Sequence, residues 1–131
     1  MNSDSLSDID DETSSKINKM FGNCEEIVGI DHVVKVISGG KSHSGNDQLN
    51  AYIGLEPSGK AHLGWMVLAE AIKNLLDEEV NVTILLADWH AWVNDKFSRD
   101  MDKISMAAEY MSDVFRVLLN FPEEGEGPGQ L

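Results

Sequence analysis

The sequence predicts an α/β fold organised around a parallel sheet, and three observations carry that expectation. Val80 to Ala87 is nearly all apolar and β-branched, the pattern of a strand covered on both faces in a parallel sheet. Asn50 to Leu55 is a second strand pattern upstream, and a helical stripe separates the two, so strand, helix and strand make a right-handed βαβ unit. Between the first strand and the helix, Pro57, Ser58 and Gly59 force a turn, Pro by removing a backbone donor and Gly by permitting a positive φ. Such a turn at a helix N-terminus is where parallel α/β sheets bind phosphates, because free backbone N–H groups and the positive end of the helix dipole face the crevice.

The bulk numbers allow one domain. The chain has 131 residues, 42% of them hydrophobic, enough for an independent core. Its 10 basic and 23 acidic residues leave a net charge of −13, which argues against a surface that grips nucleic-acid phosphates broadly. The single cysteine, Cys24, allows no internal disulfide and reads as a small packed group in a reducing compartment. The first residues show no basic and apolar leader, and no apolar run approaches the ~20 residues of a membrane helix. The expectation is a cytoplasmic protein without membrane contact.

Residues 1–15, rich in serine and aspartate, read as a disordered acidic tail, and 16–120 as the folded unit. Ile17, Met20, Phe21, Cys24, Ile27 and Val28 recur at helical spacing, which predicts a helix ending near Gly29. Asp31 caps a short second helix through Val33, Val34 and Ile37, closed by Gly39 and Gly40, before a polar loop from Lys41 to Gln48. Leu63 to Leu76 is the helix after the turn, with Leu63, Met66, Val67, Ile72, Leu75 and Leu76 as its stripe. A short helix follows Asp88, and Asp100 to Asn120 is an amphipathic helix through Met101, Ile104, Ala108, Met111, Phe115 and Leu118. Residues 121–131, with Pro122, Pro128, three glycines and three glutamates, read as a second disordered tail. Two strands are fewer than the four to six of a usual sheet, so the chain reads as part of a domain.

Several side chains gather where a ligand would lie. His62 stands at the helix start, able to donate to a phosphate oxygen as charge builds in a transition state, or simply to sit on the surface. Gly59 and Gly64 flank it and would admit a nucleotide close to the backbone, although turn chemistry alone explains either one. Tyr52, Gly54 and Glu56 alternate, so they share one face of the first strand and its exit. Leu85 and Ala87 alternate on the second strand, and His90 lies just past its carboxyl end. By spacing alone Tyr52 reads as a core residue and Glu56 as a surface one, and core packing explains Leu85 and Ala87. His90 reads as packed between Trp89 and Trp92, and Asp88 as a helix cap. Trp65, Trp89 and Trp92 suit either a pocket wall or the core.

The run P-S-G-K-A-H-L-G-W after a strand resembles the signature loop of class I aminoacyl-tRNA synthetases, whose ideal form reads H-I-G-H. The preceding A-Y-I-G-L-E and the later V-T-I-L-L-A-D-W-H-A-W-V-N-D-K are similar to tyrosyl-tRNA synthetases of the archaeal and eukaryotic type. The match runs from about Ser14 to Asn120. The resemblance implies the N-terminal half of a Rossmann-like nucleotide-binding domain, preceded by short helices. It implies ATP-dependent activation of tyrosine to tyrosyl-adenylate and transfer to tRNA(Tyr), with Mg2+ accompanying the pyrophosphate and a homodimer as the full-length form. By resemblance, Pro57, Ser58, Gly59, His62, Gly64 and Trp65 would hold ATP, with His62 catalytic. Tyr52, Gly54, Glu56, Leu85, Ala87 and His90 would hold tyrosine. No resident metal site is implied.

The sequence departs from the pattern in several places, among them the second half of the nucleotide fold and the anticodon-binding region, which it does not show. Trp65 replaces the signature's second histidine, and the family's K-M-S-K-S loop is missing. Alternatives that remain open are a synthetase fragment that is inert or binds nucleotide weakly, and a tryptophanyl relative.

Overall fold

The computed structural model describes residues 9–39, 48–120 and 129–130. Helices α1 (Asp11–Phe21) and α2 (Ile30–Ile37) lead into β1 (Asn50–Leu55). Then come α3 (Leu63–Asp77), β2 (Asn81–Leu86), α4 (Asp88–Val93), a short turn over Lys96–Arg99, α5 (Met101–Leu119) and β3 (Gly129–Gln130).

The βαβ unit forms as the apolar pattern requires. β1 and β2 run parallel in a register that sets Tyr52 beside Thr83 and Gly54 beside Leu85, with α3 as the crossover. The backbone joins the strands to their continuations: Asn81 N–H donates to the Leu49 carbonyl and Ala87 N–H to the Leu55 carbonyl. One face of the sheet supplies the core. Val82 and Ile84 are buried there with Ala69 and Ile72 of α3, Met111, Phe115 and Leu119 of α5, and Met20 of α1. Alternation puts Asn50, Tyr52 and Gly54 of β1 with Asn81, Thr83 and Leu85 of β2 on the opposite face. On this face Tyr52 is 66% and Leu85 46% exposed. The expectation of a strand covered on both faces therefore holds for one face only.

Several expectations need correction. The acidic tail does not reach residue 15, because α1 begins at Asp11. Asp10 is its N-cap: one carboxylate oxygen accepts from Thr13 N–H at 2.8 Å and the other from the Thr13 hydroxyl at 2.9 Å. Asp11 and Glu12 then lie in the first turn, where the helix dipole favours negative charge. The helix ends at Phe21 rather than near Gly29, which instead precedes α2 with φ 76°. Asp31 lies inside the first turn of α2 and makes no side-chain cap. Cys24 is exposed, not packed.

On α3 the stripe is rotated. Leu63, Met66 and Val67 are exposed, whereas Ala69 and Ile72 are buried and Trp65, Leu68, Leu75 and Leu76 pack against the core. On α5 Leu119, not Leu118, closes the buried face. The 121–131 tail is also revised: Gly129–Gln130 pairs parallel to β2 at Val82 and Thr83, so β2 is the central strand of three. The rest of that tail, residues 1–8 and nearly all of the polar loop lie outside the described residues. No helix among the described residues is long and apolar enough to cross a membrane.

Candidate active site

The carboxyl ends of β1 and β2 carry the site, and the connection from β1 to α3 forms one side of it. Pro57 is fully buried and anchors this connection in the core, while Ser58 is exposed. Gly59 bends the chain without a positive φ, contrary to expectation; its use is the open space where a Cβ would stand. His62 is extended (φ −142°, ψ 172°) and is the N-cap of α3. Its Nδ1 accepts from Gly64 N–H at 3.1 Å, satisfying a donor that the first helical turn leaves orphaned. A neutral imidazole accepts at one nitrogen and donates at the other, so Nε2 carries the proton and is the outward donor.

Gly64 makes this cap possible. A Cβ there would stand 2.9 Å from His62 Cε1, closer than real Cβ atoms come, and a tight 3.0 Å from Nδ1. Trp65 follows Gly64 in the first turn of α3. It is half-buried and stacks on Phe115 of α5, with ring centroids 5.5 Å apart and planes 9° apart.

The opposite side of the site is the open sheet face. Tyr52, Gly54 and Leu85 lie on it together, and no atom comes within 4 Å of where a Gly54 Cβ would stand. Glu56 ends this row and is drawn to the segment after β2. Asn94 Nδ2 donates to its Oε2 at 2.5 Å, and Lys96 Nζ lies 3.2 Å from Oε1. His90 Nε2 lies 3.8 Å from Oε2, an ion pair when the imidazole is protonated. The Asn94 hydrogen bond, then Lys96 and the more distant His90, hold the Glu56 carboxyl below its ordinary value near 4.5 against the opposing effect of burial. Ala87 is the N-cap of α4 and makes no side-chain cap bond. Contrary to the capping expectation, Asp88 is the first helical residue, and its carboxylate accepts from the neighbouring Trp89 N–H at 2.7 Å.

The turn after α4 is strained. Asp95, Phe97, Ser98 and Arg99 all have φ between 50° and 59°, a left-handed conformation that costs about 1–2 kcal/mol per residue. Side chains pin it. Lys96 reaches Glu56, Arg99 Nε pairs with Asp95 at 3.4 Å, and the Arg99 guanidinium lies 5.4 Å from the Trp92 ring centre. Strain held this way beside a crevice is characteristic of sites that must be preorganised.

A family profile described as class I tRNA synthetases (W and Y) matches residues 44–121. The chain belongs to this class I tRNA synthetase family. It is 42% identical over 99 residues to the tyrosine--tRNA ligase of Sulfurisphaera tokodaii, covering 76% of this chain and 26% of that protein. It is 37% identical over 101 residues to the tyrosine--tRNA ligase of Saccharolobus solfataricus, covering 77% and 26%. The crystal structure of tyrosyl-tRNA synthetase from Aeropyrum pernix superposes with a TM-score of 0.69 at 35% identity, over 80% of this chain and 30% of that one. That of the Archaeoglobus fulgidus enzyme complexed with L-tyrosine does so with a TM-score of 0.67 at 29% identity, over 79% and 30%. The chain thus spans about a quarter of the length of the curated relatives it matches. The class I parallel-sheet fold is the one its sequence predicted.

Within this class I synthetase chain the structure brings Tyr52, Gly54 and Leu85 onto one face and joins Glu56 to His90. It places Pro57 and Trp65 in packing rather than on an open surface. The link of Glu56 to Asn94 and Lys96 is what sequence reasoning missed. These two stand 38 and 40 positions from Glu56, and no local pattern pairs residues across that distance.

The Glu56 clamp yields a first prediction. Glu56→Ala should release the left-handed turn and speed backbone hydrogen exchange across residues 88–99 while leaving β1 and α3 protected. Unchanged exchange would mean that the turn holds itself. The depressed pKa sets the acid behaviour: the stabilisation is complete above about pH 4.5 and is lost as pH falls through the lower folded value. Trp92, under Arg99, should report that loss by fluorescence, and the signal should be missing in Glu56→Ala.

Proposed function

We propose that this chain carries the ATP-cradling and tyrosine-facing part of a tyrosine-activating site, whose full reaction makes tyrosyl-adenylate and then tyrosyl-tRNA(Tyr). The observation that carries the reading is the arrangement of His62. It caps α3 through Nδ1 and so offers Nε2–H at a helix N-terminus, beside the sheet face that holds Tyr52, Gly54 and Leu85. The names of the matched relatives support tyrosine as the amino acid.

On this reading the tyrosine carboxylate attacks the α-phosphorus of ATP in line, and the bond to pyrophosphate breaks. Negative charge grows on the α-phosphate oxygens as this happens. The His62 Nε2–H stabilises that charge, with the N-terminal dipole of α3 behind it, and no enzyme nucleophile takes part. The exposed Tyr52 hydroxyl would bond the substrate phenol. Glu56, occupied by Asn94 and Lys96, would act by holding His90 and the turn after α4 in place. Among the described residues no three carboxylate, histidine or cysteine side chains converge. Magnesium would arrive on the ATP phosphates. A cytoplasmic homodimer is the assembly proposed for the complete enzyme.

The test is a graft. Residues 44–121 replace their counterparts in the Sulfurisphaera tokodaii ligase, and ATP–pyrophosphate exchange is measured with each amino acid in turn. Tyrosine-dependent exchange is expected. Exchange driven by tryptophan, or by no amino acid in a folded graft, would defeat the reading.

A further inference from the structure

Trp65 meets three aromatic rings. Phe115 lies parallel beneath its indole at 5.5 Å, and His62 meets it edge-to-face at 6.1 Å with 63° between planes. Tyr110, also on α5, lies tilted at 6.3 Å. Residue 65 is the third residue of α3, so the Phe115 stack ties the first turn of that helix to α5. Phe115 itself is 1% exposed, which makes the indole a fixed object rather than a mobile one.

His62 is different. It is exposed and outside the helix; its carbonyl accepts from Trp65 N–H at 2.9 Å, and its ring is held among the described residues by the 3.1 Å contact from Gly64 N–H to Nδ1. A single 3.1 Å bond to an exposed ring can open and close, and while it is open neither the tautomer nor the ring plane is fixed. A second contact is needed to fix the ring plane, and the indole supplies it in the T-shaped geometry that aromatic quadrupoles favour.

We propose that Trp65 is a positioning residue for His62: clamped on Phe115, it holds the imidazole plane so that Nε2–H stays directed out of the α3 N-terminus. The indole thus takes up, by packing, a position where the family signature has a second imidazole. The functional meaning of this arrangement rests on the reading of His62 as a donor to ATP, but the arrangement can be tested without nucleotide.

The competing account is that Trp65 anchors α3 on α5 and meets His62 incidentally. Trp65→Leu separates the two, because it keeps apolar bulk against Phe115 but presents no ring. Trp65→Phe keeps both contacts. The experiment is imidazole nitrogen NMR on the 131-residue chain, with the His62 signals assigned by their loss in His62→Gln. The parent and Trp65→Phe should show His62 with Nδ1 bare and Nε2 protonated. Trp65→Leu should show shifts averaged toward a mixture of tautomers. A folded Trp65→Leu with the parent His62 spectrum would overturn the proposal.

Should Trp65→Leu fail to fold, the parent decides by itself. Cross-relaxation between His62 ring protons and the indole, with upfield ring-current shifts, is expected, and its absence would overturn the proposal. ATP titration keeps the two readings apart. If His62 donates to ATP, Trp65→Leu should lose about 2- to 10-fold in affinity, the size expected for ordering one more side chain on binding. If no variant binds ATP yet the tautomers respond as stated, the nucleotide role of His62 fails and the positioning by Trp65 stands.

Discussion

His62→Ala, made in the graft described above, should slow tyrosine-dependent pyrophosphate exchange about 10²–10³-fold, the usual loss when one preorganised donor to a developing charge is removed. Tyrosine affinity should stay nearly unchanged, because the interaction strengthens only as charge moves onto the α-phosphate. The loss therefore belongs in kcat, with the KM for tyrosine little altered. Alanine also deletes the α3 cap, so a fall in rate alone could reflect a frayed helix. His62→Asn resolves this, since asparagine is among the preferred N-caps and can accept from Gly64 N–H, but it is too short to place a donor where Nε2 sits. The expected result is that His62→Asn restores the melting temperature and not the rate. Exchange by either variant within about tenfold of the parent would remove His62 from the chemistry.

The residues that organise the site were legible in the sequence because each obeys a short-range rule. The β-branched run at Val82–Ile84 and the alternation of Tyr52, Gly54 and Glu56 set the strands, their parallel pairing and the face that Tyr52 and Gly54 share. The place of His62 followed from the turn before an apolar helix. The failures have equally physical causes. Acidic runs dominate the composition around Asp10, and composition alone reads as tail. Yet an aspartate three residues before Thr13, with two more acids in the next turn, is a helix start. Leu63, Met66 and Val67 fit an apolar stripe, but where a helix is apolar over a wide arc the period cannot say which side meets the core.

The Glu56 clamp and the aromatic stack on Phe115 were beyond reach for another reason. Each joins residues roughly 40 to 50 positions apart, through contacts that only the tertiary fold creates. Glu56 shows what this costs a sequence reading: its place beside a ligand face was foreseen, but not that its carboxylate is already occupied by the protein.

Phe115→Ala should be the most destabilising single change in the α3–α5 packing. The side chain is 1% exposed and meets Trp65 face to face, and it joins Ile72, Val82 and Ile84 in one buried cluster. Truncating a buried phenylalanine costs about 3–5 kcal/mol, through lost apolar burial and the cavity left behind. Domains of this kind have only about 5–15 kcal/mol in total, so urea denaturation followed by tryptophan fluorescence should show a much lower midpoint or no folded baseline. The change also frees the indole, which should carry the effect to His62. In a double-mutant cycle, Trp65→Ala and Phe115→Ala should therefore couple by about 0.5–1.5 kcal/mol, the range measured for aromatic pairs beyond simple burial. A loss below about 1 kcal/mol for Phe115→Ala would mean that the cluster closes over the gap. Additive single effects would mean that the stack between α3 and α5 contributes area but no specific contact. In that case the indole would lack the anchor that its proposed hold on His62 requires.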